Sequence, residues 1–282
     1  MEQDVTKTGK VIAVCSAKGG VGQTMIASNL AIALHKQNLS IALVDGKLQF
    51  GDIAVALNLR TSMTIKDVAE EFDSIDHTLI SNYMFEHESG IHVLPAPDRP
   101  EYAELITKEI MVKTITMLQQ QFDYIIIDCG YAFHETTLEL LDLTDEILVA
   151  TTLEMISLRN TKQLLETFAQ LDFMEKTKII VNRYDMESLI KAEDVPVMLN
   201  VEEAHYISND FKLTSQSLNI GIPILSLRSR SAIAKDIFKL SGKLFKKTSD
   251  VSGSKVKAKR SVSFFKRQKR GGRNEFIKST AK

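Results

Sequence analysis

The sequence lacks the features that would assign it to a secreted or membrane-spanning class. Among its 282 residues there is no tryptophan, and the two cysteines, Cys15 and Cys129, are too few and too far apart for a disulfide framework. No apolar run approaches the roughly 18 residues needed to cross a bilayer. The opening MEQDVTKTGK has no apolar core of a secretory signal. Neither a CxxC nor a His-x-x-x-His pair suggests a metal site. We therefore expect a cytoplasmic protein with both thiols buried in its core.

The charge of the chain is unevenly distributed. Hydrophobic residues make up 44% and charged residues 25%, which is typical of a globular protein, and the net charge is only −1. Residues 246–282, however, contain 13 Lys and Arg against two acidic residues, a net charge of +11. Residues 1–245 contain 22 basic and 34 acidic residues, a net charge of −12. The sequence thus predicts an acidic body followed by a basic tail.

Short apolar runs alternate with helical patterns along the body. The apolar runs are 11–15, 41–45, 91–97, 124–128, 146–152 and 178–182, and the helical patterns include 24–37, 103–122, 157–171 and 231–245. Runs without polar alternation are typical of strands buried on both faces. Strands alternating with helices predict an α/β fold with a doubly wound, mostly parallel sheet between two helical layers, and ligands then bind at the carboxyl ends of the strands.

The domain organisation follows from the composition. We expect a short lead over residues 1–9, one domain over residues 10–245, and a disordered basic tail over residues 246–282, because the composition changes to Ser, Gly, Lys and Arg after Phe245.

A glycine-rich segment, AKGGVGQT (Ala17 to Thr24), joins the first predicted strand to the first predicted helix. Backbone N–H groups in such a loop and at a helix N-terminus can surround a phosphate, and glycine allows the close approach. The alternative is a tight turn that binds nothing. The common phosphate-loop pattern GxxxxGK[ST] does not fit, because Ala17 replaces the first glycine and Gln23 replaces the lysine.

The segment resembles the deviant phosphate loop (deviant Walker A), KGGxGK[ST], of the MinD/ParA class of ATPases. The resemblance implies a P-loop NTPase fold that binds ATP or ADP with Mg²⁺. It also implies that Lys18 reaches in trans to the partner's phosphates in a nucleotide-sandwich homodimer. Thr24 and Asp128 match the metal-binding positions. The remaining nucleotide-binding positions implied are Gly19, Gly20, Val21, Gly22, Gln23, Asp45 and Asn182, of which Asn182 would contact the base.

The resemblance covers residues 10–245. In detail, this segment is similar to the ATPase domain of the CpaE/TadZ pilus-assembly proteins. The stretches that carry it are VDGKLQFGDIAVALNL, VLPAPDRPEYAELIT, TTLEMISLRNTKQLL, IIVNRY and ISNDFKLTSQSLNIGIP. It implies that a loop from Asn209 to Asn219 closes over the base. Relatives often carry a receiver-like domain before this unit, and none is expected here.

Two departures from the family pattern bear on catalysis. Gln23 replaces the loop lysine, and Asp45, Gly46 and Lys47 stand where the family has Asp-x-Asp, whose second aspartate positions the attacking water. Charge neutralisation dominates phosphoryl-transfer catalysis, so we expect weak or absent ATP hydrolysis. In one hypothesis Lys47 acts as a substitute cation that preserves nucleotide binding. In the other, the site has drifted and binds nothing.

The basic tail has three interpretations. In SVSFFKRQKR (Ser261 to Arg270), Phe264 and Phe265 stand beside a cationic cluster. Such a segment can lie on an anionic membrane surface, gaining about 1 kcal/mol per cation near the lipid. It can also bind nucleic acid through phosphate contacts and stacking, or remain solvated.

Together these observations favour a nucleotide-dependent homodimer that helps to place or assemble a pilus or secretion machine, at the inner face of the cell membrane. The alternatives are a slow ATPase of the same class and a DNA-partitioning protein that binds DNA through the tail.

Overall fold

A computed structural model of the protein describes residues 8–251, apart from residues 77 and 132. Most of the predicted lead and most of the predicted basic tail, including its aromatic pair, lie outside the described residues. Within the described part, no helix is both long enough and apolar enough to span a bilayer.

Eight strands form one sheet in the order β3-β4-β2-β5-β1-β6-β7-β8. All neighbours are parallel except β3 and β4, which pair antiparallel. The strands are β1 (Lys10–Ser16), β2 (Ile41–Asp45), β3 (Phe85–Glu86), β4 (His92–Leu94), β5 (Tyr124–Asp128), β6 (Glu146–Thr151), β7 (Thr177–Asn182) and β8 (Ala204–Ile207). Because β1 lies inside the sheet with β5 on one side and β6 on the other, the loop after β1 opens into the crevice where ligands bind in doubly wound folds.

Helices cover both faces of the sheet. The α-helices are α1 (Gln23–His35), α2 (Ile53–Ala56), α3 (Ile65–Glu70), α4 (Lys108–Gln119), α5 (Glu135–Leu143), α6 (Met155–Gln170), α7 (Val195–Leu199), α8 (Phe211–Ile220), α9 (Ile224–Leu227) and α10 (Ala232–Val251). One layer contains α1, α2, α8, α9 and α10, and the other contains α3 to α7.

The hydrophobic core has two halves, one on each face of the sheet. Successive side chains of a strand point to opposite faces. In β1, Val11, Ala13 and Cys15 therefore belong to one half, while Ile12 and Val14 belong to the other. The continuous apolar runs of the central strands reflect burial on both faces, as predicted, and both cysteines are free and buried.

The predicted fold class is confirmed, and the differences are local. The sequence does not predict strands β3 and β8, because β3 has two residues and β8, at the edge, alternates between buried and half-buried positions. The prediction of a loop from Asn209 to Asn219 is wrong. It is mostly helix α8, because the Asp210 side chain caps the helix by accepting a hydrogen bond from the Leu213 N–H at 2.9 Å. Helix α10 continues to Val251, past the predicted boundary after residue 245.

Candidate functional site

The site lies where several parallel strands end on the same edge of the sheet. The glycine-rich loop follows β1, Asp45 is the last residue of β2, Asp128 is the last of β5 and Asn182 is the last of β7. The fold thus brings these predicted residues to one end of the sheet.

The loop backbone is held in a conformation that suits an anion. Gly20 and Gly22 have φ angles of 77° and 92°, in the left-handed region that favours glycine. Gly22 precedes α1, so the loop leads directly into the free N–H groups of the first helical turn.

Residues at the end of β7 support this loop from the side. Asn182 donates a hydrogen bond from Nδ2 to the Val21 carbonyl at 2.7 Å. A Cβ at Gly22 would lie only 2.3 Å from Asn182 Nδ2, so the close packing requires glycine. Arg183 Nη2 lies 3.4 Å from the Gly20 carbonyl. Asn182 therefore acts on the loop itself, and its contact with a nucleotide base stays a prediction.

The Gln23 side chain turns into the protein interior. Its amide nitrogen donates to the Val14 carbonyl at 2.9 Å and to Asp128 Oδ1, and its oxygen accepts from Ser16 Oγ at 2.8 Å. The residue is only 6% exposed. Its hydrogen bonds thus fix it beneath the loop as a neutral structural group.

Lys18 forms an ion pair within its own chain. Its Nζ lies 2.7 Å from Glu154 Oε2, the residue that precedes α6, and both side chains are partly exposed. Exposed ion pairs of this kind contribute about 1 kcal/mol or less. Lys18 can therefore be released to another anion at small cost.

Two buried carboxyl groups end adjacent strands beneath the loop. Burial raises the pKa of Asp45 to about 7, the neighbouring Asp128 adds to the rise, and hydrogen bonds from the Ile53 and Lys47 N–H groups oppose it. Burial also raises the pKa of Asp128, against the opposing effects of Lys47, Thr24 and Gln23. The two acids are accommodated by hydrogen bonds and by one adjacent cation.

That cation is Lys47, two residues beyond β2. Its Nζ donates to Thr24 Oγ1 at 2.9 Å and to Asp52 Oδ2 at 2.7 Å, and lies 3.9 Å from Asp128 Oδ2. Thr24 Oγ1 in turn donates to Asp128 Oδ2 at 2.6 Å. The two predicted metal-binding residues are therefore in contact with each other, with a lysine beside them.

The surface around the loop exposes large apolar side chains. Tyr131 lies beside the loop, because a Cβ at Gly19 would be 3.6 Å from its ring. Phe50 and Tyr131 also line a cavity of about 600 Å³ next to Lys47. Met155 and Ile156 follow the Lys18 partner at the start of α6, and all four side chains are more than half exposed. We call these four residues the loop-face patch.

The sequence does not predict four residues that contact the site. They are Ser16, Asp52, Glu154 and Arg183, which contact Gln23, Lys47, Lys18 and the Gly20 carbonyl, respectively. Only Asp52 carries a local signal, since it precedes a short helix five residues after Lys47. The others are common residue types whose role depends on the folded chain.

Comparisons with known proteins identify relatives of this chain. Residues 9–181 match the family described as AAA domain. The septum site-determining protein MinD of Thermotoga maritima is 30% identical over 246 residues, which cover 84% of this chain and 88% of that protein.

Solved structures show the same fold. A ParA family ATPase from Chlorobium tepidum has a TM-score of 0.79 and 26% identity, covering 84% of this chain and 99% of its own. MinD from Pyrococcus horikoshii, solved with Mg-ADP, has a TM-score of 0.75 and 22% identity, covering 85% and 97%. Because the family match spans more than half of the chain and the Thermotoga relative aligns over most of both proteins, the chain belongs to the MinD/ParA class of P-loop ATPases.

Proposed function

We propose that this protein is a nucleotide-binding, dimerising localisation or assembly protein with weak or absent ATP hydrolysis, acting on a pilus of the Flp/Tad type or on a secretion machine. The observation that carries the proposal is a contrast within the site. The backbone of the phosphate loop keeps the left-handed glycines and the open helix N-terminus that bind an anion, whereas Gln23 and Lys47 replace groups that serve hydrolysis.

Binding is supported by the loop backbone and not by the side chain at position 23. Backbone N–H groups and a helix N-terminus attract phosphate without any lysine. In the MinD structure from Pyrococcus horikoshii the nucleotide is Mg-ADP. We therefore propose ATP or ADP as the ligand of this loop.

Weak hydrolysis is supported by two independent replacements. Gln23 is neutral and engaged in three internal hydrogen bonds, so it supplies no charge to a transferring phosphoryl group. Lys47 is a cation and cannot orient an attacking water as a carboxylate would. Both changes act on the transition state, so hydrolysis is expected to suffer more than binding.

Dimerisation is supported by the surface around the loop. The loop-face patch lies beside the loop and Lys47, and Lys18 is held near it only by an exposed ion pair with Glu154. An exposed apolar patch next to a polar rim is typical of a protein interaction surface. We propose that two copies meet through this face when nucleotide is bound, with each Lys18 reaching the partner's phosphates.

The role in pilus or secretion assembly rests on the similarity to CpaE/TadZ proteins over residues 10–245. Placement at the inner face of the membrane rests on the charge of residues 246–282, which would hold the acidic body to an anionic lipid surface.

The first test is nucleotide binding by a pair of matched variants. Gly22→Ala places a methyl group against Asn182 in a left-handed backbone, whereas a Cβ at Gly242 meets nothing within 4 Å. By calorimetry, Gly22→Ala should weaken ATP binding about tenfold or more, and Gly242→Ala should leave it unchanged. Wild-type protein that binds no ATP would refute the proposal.

Two further measurements separate the competing functions. Light scattering should show a dimer with ATP and a monomer without it. Slow but measurable phosphate release would favour the slow-ATPase alternative, and fast release would contradict weak or absent hydrolysis. Tight DNA binding at physiological salt would favour a partitioning protein.

A further inference from the structure

The lysine that follows β2 contacts the groups expected to hold a metal. In P-loop NTPases the magnesium ion is held by the loop Ser or Thr hydroxyl and an acidic residue. Those groups are Thr24 and Asp128 in this chain. Lys47 Nζ lies 2.9 Å from Thr24 Oγ1 and 3.9 Å from Asp128 Oδ2. The ammonium thus lies where the magnesium ligands converge.

Lys47 is held in this position by its surroundings. Its stem passes Gly130, whose φ is 71° and where a Cβ would lie 3.0 Å from Lys47 Cγ. Its head is bonded to Asp52 at 2.7 Å, and the side chain is only 20% exposed. The lysine is therefore packed and hydrogen-bonded, unlike a free surface side chain.

The charges around Lys47 favour an ammonium group. Lys47 Nζ lies 2.7 Å from Asp52 Oδ2 and 3.9 Å from Asp128 Oδ2, so two carboxylate oxygens face it from different segments of the chain. Asp45 faces the same region from the end of β2. One fixed cation thereby balances several neighbouring carboxyl groups.

A magnesium ion does not fit this arrangement. Mg²⁺ bound to Thr24 would lie about 2.1 Å from the hydroxyl oxygen. It would then be at most about 5 Å from an ammonium that lies 2.9 Å from the same oxygen. The second oxygen of Asp128 accepts from Gln23 and is also engaged. Within the described residues, no cluster of three or more His, Cys, Asp or Glu side chains offers another metal position.

We propose that the Lys47 ammonium takes the place of the magnesium ion, so that this chain binds the phosphates of a nucleoside triphosphate without a divalent cation. The inference rests on the proposed nucleotide binding and adds that this binding requires no divalent metal ion. It gives Lys47 a different role from that of a substitute for the loop lysine, because its contacts are with Thr24 and the carboxyl groups. Free ATP, and not its magnesium complex, is then the preferred ligand.

The test is the affinity of the full chain for a fluorescent ATP analogue, measured in EDTA and in millimolar Mg²⁺. For the wild type, Mg²⁺ should leave the affinity unchanged or weaken it, because it removes free nucleotide. Lys47→Met keeps the length of the stem without its charge and should lose about tenfold in EDTA. Lys66→Met is the matched control, because Lys66 is 21% exposed and ion-paired to Glu70 at 2.7 Å on α3, and its affinity should not change.

The outcomes are distinct. A wild-type affinity that rises tenfold or more with Mg²⁺ would overturn this inference and leave the proposed nucleotide binding intact. Equal affinity of Lys47→Met and wild type in EDTA would also overturn it. An absence of binding by the wild type in both buffers would overturn this inference and the proposed function together. The wild-type comparison needs no variant, so a misfolded Lys47→Met would not remove the test.

Discussion

Asp45 on β2 is the register partner of Asp128 on β5, so two buried carboxyl groups end adjacent strands beneath the phosphate loop. The pKa of Asp45 is about 7 in the folded protein, against an ordinary value of 3.8. Between these values the folded state holds a proton that the unfolded chain releases, so the free energy of unfolding falls as the pH rises.

The first prediction is a pH dependence of stability due to Asp45. Between about pH 5 and pH 7, the free energy of unfolding should fall by about 2 kcal/mol through this group. Chemical denaturation across this range should show that the free energy of unfolding depends less steeply on pH in Asp45→Asn than in the wild type. Asp172→Asn is the control, because Asp172 is exposed and its left-handed backbone also suits asparagine. An unchanged slope in Asp45→Asn would contradict the assignment.

The second prediction concerns Gln23 as a structural group. Gln23→Ala removes three buried hydrogen bonds and takes a donor from Asp128 Oδ1, while the Val14 carbonyl still accepts from the Cys129 N–H and Ser16 Oγ still donates to the Lys18 carbonyl. Thermal or chemical unfolding should show a loss of about 2 kcal/mol. Gln163→Ala, at an exposed position of α6, should change stability by less than about 0.5 kcal/mol. Equal effects of the two substitutions would show that the Gln23 hydrogen bonds contribute little.

The third prediction concerns the two groups that depart from the family pattern. The double variant Gln23→Lys, Lys47→Asp should raise the rate of phosphate release about a hundredfold over wild type, since each change restores a charge used in the transition state. Each single variant serves as a control and should gain much less. If the wild type already turns over ATP at the rate of the double variant, these replacements do not limit hydrolysis.

The fourth prediction concerns the release of Lys18 from its own chain. Glu154→Gln removes the ion pair and should strengthen ATP-dependent dimerisation up to about fivefold, as measured by sedimentation. Glu203→Gln breaks a comparable exposed pair with Lys243 near β8 and should have no effect. Lys18→Gln should abolish the ATP-dependent dimer, and a dimer that persists in this variant would exclude action in trans.

The fifth prediction concerns the basic tail. Truncation after residue 251 keeps all of α10 and removes most of the predicted tail. The full chain should float with anionic vesicles and the truncated chain should not, because most of the tail's cations are lost. Neutral vesicles are the control. Equal flotation of both chains would remove the membrane proposal, and salt-dependent DNA retardation by the full chain alone would favour partitioning.

The central part of the fold could be predicted because its strands are buried on both faces. The runs IALVD and YIIID coincide with β2 and β5 residue for residue. At the edges this signal fails. In β8, half-buried Ala204 and Tyr206 alternate with buried neighbours, and β3 is too short to show any period. The sequence does not predict helix α8, because its start depends on the hydrogen bond that the Asp210 side chain accepts from the Leu213 N–H.

In the site, the residue types could be predicted but not their orientations. The loop and Asp128 follow from their positions after β1 and at the end of β5. The inward turn of Gln23 depends on distances to Ser16 and Asp128 that exist only after folding. The pairing of Lys18 with Glu154 joins residues 136 positions apart, which no local pattern records.

The hydrogen bond from Asn182 to the loop affects how the loop would bind a ligand. Since the hydrogen bond from Asn182 to Val21 joins the end of β7 to the loop after β1, the anion cradle takes shape as the sheet is completed. The loop backbone is then already ordered before a phosphate binds, so phosphate binding should need no rearrangement of the backbone. Conformational change on nucleotide binding is then expected in Lys18 and the loop-face patch, at the rim of a rigid cradle.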